Sequence, residues 1–457
     1  MFYNCYSLQE ITFDNCSAAV QALRFAANAS NLRFVSMPFC NSLSTSVNMF
    51  NNCSSLEKID IGNLSALSNA NSMFFSCISL QDVAIIGTTS LLDSSSMFAY
   101  CYNLQNAYVP NLAAVTNANS MFTNCDSLTS VSLHLPAATD VASILEYSGA
   151  LSNLEFTGTS VATTFAGAFQ GTNIRQITLD TRAATSLASA FNGCSELKSV
   201  TFNSLSAVTT LFSTFSNCAA LEEVTLTGLT TTCVNLWSTF NNCYALYKVD
   251  LVNTSGVTIF RSAFNGCYSL RTISNLDTRA STGSYSSTFS NVTSLPELTV
   301  NASGLTTITD VPSFASMFGL QKLTLTNMRW THSLADNRLD ATRLNDHYTN
   351  LLTLPTAKNI SAGSVVGSTV TITTSTAHTF WSGMTCVIAG VNPSTYNGTF
   401  TITVTASNQF TYAKAGVGAY VSGGTATPSA TVTVTGNPGT TGDNTTIATA
   451  KGWTVTG

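Results

Sequence analysis

Apolar residues recur along the first two thirds of this chain at a spacing too long for one helix or strand. Phe2, Phe50, Phe74, Phe98, Phe122, Phe169, Phe191, Phe215, Phe240, Phe264 and Phe289 form one series, with Leu145 filling a slot. From Phe50 to Phe289, ten intervals cover 239 residues, a mean of 23.9, and a degenerate unit around Phe25 completes the run from Phe2. Six places after the anchor stands a leucine, as at Leu56, Leu80, Leu104, Leu197 and Leu246. An alternating pair follows, such as Val131/Leu133, Val200/Phe202, Val224/Leu226 or Val249/Leu251, and reads as a short strand. Residues just before the anchor, such as Asn119-Ser120-Met121 or Leu187-Ala188-Ser189-Ala190, suit a single helical or 3₁₀ turn.

Two columns sit between anchor and leucine. Two places after the anchor come Asn4, Asn52, Asn124, Asn217, Asn242 and Asn291, or Gly171, Gly193 and Gly266. Asn and Gly share tolerance of a left-handed backbone, so φ > 0 is expected there. Three places after it come Cys5, Cys53, Cys77, Cys101, Cys125, Cys194, Cys218, Cys243 and Cys267, with Ser148, Thr172 and Val292 in the other slots. No single unit can bury its Phe, Leu and Val alone, so the units must stack. The expectation is a mostly β repeat solenoid over 1–325, some 13 coils of short strand plus loop and short helical turn. At ~4.8 Å per coil it would make a rod or arc roughly 60 Å long. The string Ala190-Phe191-Asn192-Gly193-Cys194-Ser195-Glu196-Leu197-Lys198-Ser199-Val200-Thr201-Phe202 resembles the BspA-type leucine-rich repeats. The resemblance covers about 300 residues and implies a leucine-rich-repeat-like solenoid used as a surface-recognition scaffold with diverse ligands.

After Phe318 the rhythm stops. Asp340 reads as the N-cap of a helix with Leu344, Tyr348 and Leu351 on one face and Pro355 beyond its end, placed to cap the solenoid. A C-terminal cap is therefore expected over 326–360 and 429–457, split by a small all-β module at 361–428. Within the module, strands are expected at 365–373, 386–391 and 400–405, with Asn397-Gly398 as a hairpin turn. The ending from Thr431 to Trp453 is similar to caps that follow such repeats in phage-encoded proteins. The run from Thr376 through Tyr396-Asn397-Gly398-Thr399-Phe400 to Tyr412 resembles a β-module of tail fibres and other phage structural proteins.

Composition narrows the function. Charged residues are 9%, hydrophobic ones 44%, and the net charge is -5, with no run of Lys or Arg. The basic footprint of nucleic-acid binding is absent, so no nucleic-acid partner is expected. No window is long and apolar enough for a membrane span. Met1 to Cys5 lack the pattern of a secretory signal, and the chain opens inside a repeat. An oligomer contact or attachment through that open first coil is the expectation.

Candidate chemistry is sparse. The ladder Cys53, Cys77, Cys101, Cys125, Cys194, Cys218, Cys243 and Cys267 forms a line, whereas a zinc site needs four ligands converging on a point. It is expected to be core, with the thiol as a small hydrophobe. Cys16 and Cys40 stand a coil apart at another position, and Cys233 and Cys386 stand alone. His134, His332, His347 and His378 lie in unrelated contexts without a nucleophile or metal motif, and polar surface or local hydrogen bonding is expected for each. Glu57, Asp82, Glu222, Glu223 and Asp250 interleave with Lys58, Arg175, Lys198, Lys248 and Arg271 at the strand entrances, as a solvated rim with cross-coil ion pairs. Asp180/Arg182 and Asp277/Arg279 suit local pairs. The Tyr column of Tyr6, Tyr102, Tyr244 and Tyr268, with Tyr247 nearby, is the candidate binding surface; shielding of the core edge is the alternative.

No catalytic, metal or cofactor site is expected. The resemblances imply a non-enzymatic virion structural protein of a bacteriophage, a capsid- or tail-associated fibre, decoration or adhesin. It would contact other virion proteins or a host-surface protein or glycan. A cell-surface adhesin of a bacterium or protist is the alternative.

Overall fold

Stacking the repeats demands partners for the backbone as well as the side chains, and the computed structural model meets both demands coil by coil. It describes residues 1–281, 285, 287–303 and 313–457, in two compact units, Met1–Asn253 and Thr254–Gly457. The first unit carries one short strand per coil: β1 (Glu10–Thr12), β2 (Phe34–Met37), β3 (Lys58–Ile61), β4 (Asp82–Ala84), β5 (Asn106–Tyr108), β6 (Ser130–His134), β7 (Asn153–Thr157), β8 (Gln176–Leu179), β9 (Ser199–Phe202), β10 (Glu223–Thr225) and β11 (Lys248–Asp250). They pair in parallel one repeat apart, as in Val35↔Ile59, Val83↔Ala107, Leu133↔Phe156 and Val224↔Val249. The alternation turns Val131, Leu133, Val200, Phe202, Val224 and Val249 inward, as their spacing implied.

Behind the strands the anchors stack as nearly parallel rings. Centroids are 5.7 Å apart for Phe50–Phe74, 5.4 Å for Phe74–Phe98 and 5.2 Å for Phe98–Phe122. The series continues through Phe169–Phe191 at 5.2 Å and Phe191–Phe215 at 5.6 Å. These rings are fully buried, and each touches its counterpart on the coils above and below.

Around the anchor the backbone divides its donors by parity. The N–H groups of Asn48, Phe50 and Asn52 reach the next coil, at the carbonyls of Asn71, Met73 and Phe75, while those of Met49, Asn51 and Cys53 turn back three residues. The same division recurs at Ser72, Phe74 and Ser76 against Met73, Phe75 and Cys77. The expected helical turn thus takes the form of successive i→i−3 turns punctuated by left-handed residues. The column two places after the anchor has φ > 0, as at Asn52 (59°), Asn124 (57°) and Asn242 (60°). A second left-handed column, two places before it, holds Asn48, Ser72, Ser96, Ser120 and Ser189. A continuous helix would spend every N–H within its own coil and leave none for the stack.

The cysteines take part in this accounting. Each thiol donates to a carbonyl of the preceding coil: Cys77 to Phe50 at 3.2 Å, Cys101 to Phe74 at 3.1 Å, Cys125 to Phe98 at 3.2 Å and Cys218 to Phe191 at 3.1 Å. Cys53 reaches Ala26 at 3.2 Å, Cys194 Phe169 at 3.0 Å and Cys243 Phe215 at 3.0 Å. Ser148 makes the same bond to Phe122 at 2.7 Å, which explains that replacement. The slot thus takes a small side chain, usually with a donor: Thr172 turns its hydroxyl to Phe169 of its own coil at 2.8 Å, and Val292 is buried there without one. All thirteen cysteines are free thiols, and those of the ladder in this unit are buried. Outside the core, Asn28 donates to Asn4 at 2.9 Å and Asn52 to Asn28 at 3.0 Å, an amide ladder on the turn edge.

The second unit begins with β12 (Thr272–Ser274), β13 (Glu297–Asn301) and β14 (Lys322–Thr326), the last two parallel in the repeat register. Here Cys267 is buried as well. Then follow β15 (His332–Ser333), helix α1 (Ala341–Asn350), β16 (Lys358–Val366), β17 (Thr369–Thr374), β18 (Thr385–Ala389), β19 (Gly398–Thr401), β20 (Thr403–Ala406), β21 (Gln409–Ala413), β22 (Thr425–Thr433), α2 (Thr446–Thr449) and β23 (Trp453–Thr456). Asp340 caps α1 by accepting from Arg343 N at 2.8 Å, and Leu344, Tyr348 and Leu351 are buried. Lys451 Nζ closes the other end on the carbonyls of Thr349 and Leu351, at 2.6 and 2.7 Å.

A small β module is present, in the order β19-β18-β22-β16-β17-β21-β20. Its details differ from expectation in three places. The strand expected over 365–373 is a hairpin, β16 to β17, turning at Gly367 with φ 62°. The strand expected over 400–405 breaks into β19 and β20 at Ile402, which is buried and donates its N–H to Met384. Asn397-Gly398 makes no two-residue hairpin, because Asn397 has φ -71° and its side chain accepts from Val391 N at 3.0 Å, bracing a longer loop. Strand β22 is shared: Thr425 to Ser429 pair antiparallel with β16 and β18, whereas Ala430 to Thr433 lie parallel to β23 and Val432–Thr433 also to β15.

Two substitutions test this packing. Phe98→Ala, which empties a ring from the stack, is expected to cost about 3–5 kcal/mol. Cys101→Val, which sets in this slot the residue that Val292 places there and removes the donor, should cost about 1 kcal/mol. Urea unfolding monitored by circular dichroism measures both. Burial also pushes the Cys53 and Cys101 thiols up to about 12. Iodoacetamide at pH 8 should accordingly spare both in the native protein and label them once it is unfolded.

Candidate functional site

The strand face of the first unit presents whatever the alternation turns outward. On β3 to β7 these residues are Lys58 and Asp60, Asp82 and Ala84, Asn106 and Tyr108, Ser130, Ser132 and His134, then Asn153, Glu155 and Thr157. Over them lies a groove of about 840 Å³, reaching from Lys58 to Glu155. The volume is in the range of ligand clefts, about 300–1,000 Å³. Val83 and Val131, held inward, supply part of its floor. Backbone pairing is interrupted between β3 and β4 and between β5 and β6, so the groove spans parts of three separate ladders.

Its polar side chains are braced across coils. Asn106 Nδ2 donates to Asp82 Oδ1 at 2.6 Å, Ser132 Oγ to Glu155 Oε2 at 2.8 Å, and His134 Nδ1 lies 3.0 Å from Thr157 Oγ1. Each bond joins neighbouring strands and fixes the planes of the groups it joins. Tyr108 rises among them, 61% exposed, more than any other tyrosine in the chain. The formal charges of the lining residues, Lys58, Asp82 and Glu155, leave the groove at −1.

Sequence reading missed this groove, because it followed the columns and Tyr108 belongs to none. The available signal was the outward phase of the strand alternation, where Tyr108 stands at a position that β8, β9 and β10 fill with Thr178, Thr201 and Thr225. The Tyr column is exposed: Tyr6, Tyr102, Tyr244 and Tyr247 in the first unit and Tyr268 in the second. It does not form a contiguous surface, since Ser30, Ser54 and Ile78 fill the slots between Tyr6 and Tyr102. Tyr102 instead meets Tyr100 edge-on at 6.2 Å, and Tyr247 OH donates to Glu223 at 3.4 Å. The strand-entrance charges form exposed cross-coil pairs, Arg33–Glu57 at 2.9 Å, Lys248–Glu223 at 3.5 Å and Lys198–Glu222 at 3.9 Å, each contributing little. Asp180–Arg182 and Asp277–Arg279 are local pairs, both at 2.6 Å.

Of the four histidines expected at polar surface or in local hydrogen bonds, His332, His347 and His378 are buried, His332 bonds locally to Trp330, and two of the three meet. His332 on β15 and His347 on α1 are buried, with their Nε2 atoms 2.9 Å apart. His332 Nδ1 lies 2.9 Å from the Trp330 carbonyl, which can only accept. Nδ1 therefore carries the proton, His332 Nε2 accepts, and His347 Nε2 donates. That leaves His347 Nδ1 as a bare buried acceptor, and it has no partner. Trp453 packs edge-on against His332 at 5.5 Å, and next to His347 the Tyr348 hydroxyl donates to Asp443 at 2.5 Å. Burial pulls His332 down to about 4, and burial with the neighbouring His332 holds His347 well below the usual histidine range.

Comparison with known proteins places the repeats. The sequence model described as "BspA type Leucine rich repeat region (6 copies)" matches over residues 1–129, 116–237 and 213–335. No curated protein matches the chain. Among solved structures, a leucine-rich repeat protein from Bacteroides ovatus is 19% identical, with 74% of this chain and 85% of that one covered and a TM-score of 0.45. A leucine rich cell surface protein from Faecalibacterium prausnitzii is 20% identical, covering 70% and 88%, with a TM-score of 0.39.

The histidine pair sets a pH dependence. An unfolded histidine takes a proton near 6.5 and the folded His332 only near 4, so across that window the unfolded chain binds more protons. The stabilisation is complete above pH 6.5 and is lost as pH falls, by about 3 kcal/mol for His332. Amide hydrogen exchange on the intact chain should show α1 well protected at pH 7.5 and much less at pH 4.5. Protection of β4 to β9 serves as the internal control.

Proposed function

Because this chain belongs to the BspA-type leucine-rich repeat family, we propose that it is a non-enzymatic recognition protein, displayed at a surface and engaging its partner through the face of its solenoid. The observation that carries this reading is the groove over β3 to β7, where braced polar side chains surround an exposed Tyr108 on a hydrogen-bonded framework. A hydrolytic role for its carboxylates is disfavoured by spacing. Asp82 and Glu155 stand three coils apart, about 14 Å at the strand spacing, where glycosidase pairs stand about 5–9.5 Å apart. Each is also held by a neighbouring side chain.

The finer proposal is a structural protein of a bacteriophage particle, carried on capsid or tail and serving host attachment. Its support is the likeness of the 376–412 run to tail-fibre modules and of the ending to caps in phage-encoded proteins. In this reading the chain is organised as solenoid 1–325, cap 326–360 and 429–457, and inserted module 361–428. In the same reading Tyr6, Tyr102, Tyr244 and Tyr247 of the first unit and Tyr268 of the second are separate further contact points. A cell-surface adhesin remains the competing assignment.

Mass spectrometry of purified phage particles from the source separates the two. The virion assignment expects the chain as a stoichiometric component, whereas its absence from particles and recovery with cell envelopes assigns it to the cell surface. Binding of the purified chain to intact cells and to isolated particles tests the recognition role itself. A chain that binds neither removes that role.

A further inference from the structure

A solenoid face can recognise many things, but the side chains of this groove suit only some of them. Tyr108 is a large ring on the outward face of a strand, exposed to water at 61%. Its flat apolar face and polar tip are suited to stacking on a ligand that is itself half apolar and half polar. Around it stand planar hydrogen-bonding groups: Asn106 on the same strand and face, Asp82 one coil before, and Asn153 and Glu155 two coils on. The bonds Asn106–Asp82 and Ser132–Glu155 use one oxygen of each carboxylate. The other carboxylate oxygens and the Asn106 amide oxygen keep acceptor capacity, in planes already fixed. Fixed planes reduce the ordering cost of binding.

The same inventory argues against other ligands. No arginine and one lysine line the groove, and its formal charge of −1 disfavours phosphates, sulfated chains and nucleic acid. Protein hot spots centre on buried aromatic, arginine or large aliphatic anchors. Besides Tyr108, the apolar lining here is Ile59, Val83, Ala107, Val109 and Val131, buried or half-buried, with only Ala84 and Pro110 exposed, so no large aliphatic anchor stands clear of the strands. A ring surface flanked by acceptors in fixed planes is complementary to a pyranose, which presents C–H groups on its face and pairs of hydroxyls at its rim.

We propose that the groove over β3 to β7 binds a neutral oligosaccharide, stacked on Tyr108 and hydrogen-bonded through Asp82, Asn106 and Glu155. This rests on the recognition role proposed above and names the class of ligand.

Two measurements on the full chain decide it. The first is calorimetric titration with cellohexaose, maltohexaose, mannohexaose and N-acetylchitohexaose, with a heparin-derived hexasaccharide as the anionic comparison. Saturable binding of a neutral sugar is expected. Tyr108→Ala should weaken it at least about tenfold, a loss near 1.4 kcal/mol. Tyr108→Phe should retain most of it, and Glu155→Gln should weaken it with the fold intact by circular dichroism. Phe39→Ala, at an exposed ring outside the groove lining, should leave it unchanged. The second is capture of intact cells before and after periodate, which cleaves the vicinal diols of surface sugars. Capture lost both on periodate treatment and in Tyr108→Ala supports the proposal.

Capture that survives either change overturns the glycan assignment while leaving surface recognition standing. If no cell is captured, the titration decides: sugar binding lost in Tyr108→Ala sustains the groove, and no binding of any neutral sugar overturns it. Preference for the heparin fragment also overturns it.

Discussion

The repeats depend on a division of backbone hydrogen bonds. Near each anchor, one N–H turns back three residues and the next reaches the adjacent coil, so neighbouring residues serve different masters. A chain can alternate in this way only if it leaves right-handed geometry at regular points, here the columns of Asn48, Ser72 and Ser96 and of Asn52, Ser76 and Asn124. The side chains follow from that constraint. Asn, Ser and Gly occupy the left-handed positions, and Phe fills the space the turns enclose. Cys supplies a donor to a carbonyl of the coil below, most often that of its Phe.

Much of this was legible in the sequence because it is periodic. The Phe, Leu and Asn/Gly columns announce themselves by recurrence, and the alternation after each Leu fixes which strand residues are buried. The same reliance on recurrence hid other features. The left-handed serine column two places before the anchor is recurrent, but serine fits so many conformations that its presence there carries no geometric message. Tyr108 occurs once, and its importance comes from neighbours on β4, β6 and β7 that lie about 24 residues apart in the chain. His332 and His347 meet only because β15 and α1 fold against each other. In the module, Asn397-Gly398 gave a local hairpin signal that a side-chain bond to Val391 overrode.

The segments around α1, β15 and β23 show how a polar network can be placed in a closed core. Asn437 accepts from Leu339 N at 3.1 Å and donates to the carbonyls of Leu334 and Val434 at 2.7 and 2.8 Å, joining segments about a hundred residues apart in sequence. Trp453 adds an indole bond to the Leu352 carbonyl at 2.8 Å. The paired histidines complete the set, with one ring nitrogen, His347 Nδ1, left without a donor. Neutrality is what lets them be buried, and it ties the order of α1 to the acidity of the surroundings.

Strand β22 gives the second unit a mechanical character. Its first residues pair within the small β module and its last with β15 and β23, without a linker between. A flexible joint would let the module swing and would pass little force to its base. Here a pull on the module runs along one continuous strand whose lateral bonds lie across the direction of load. They are strained together, in shear, and do not open one after another like a zipper. Load applied to the module would pass along β22 into β15 and β23, the strands its last residues pair with.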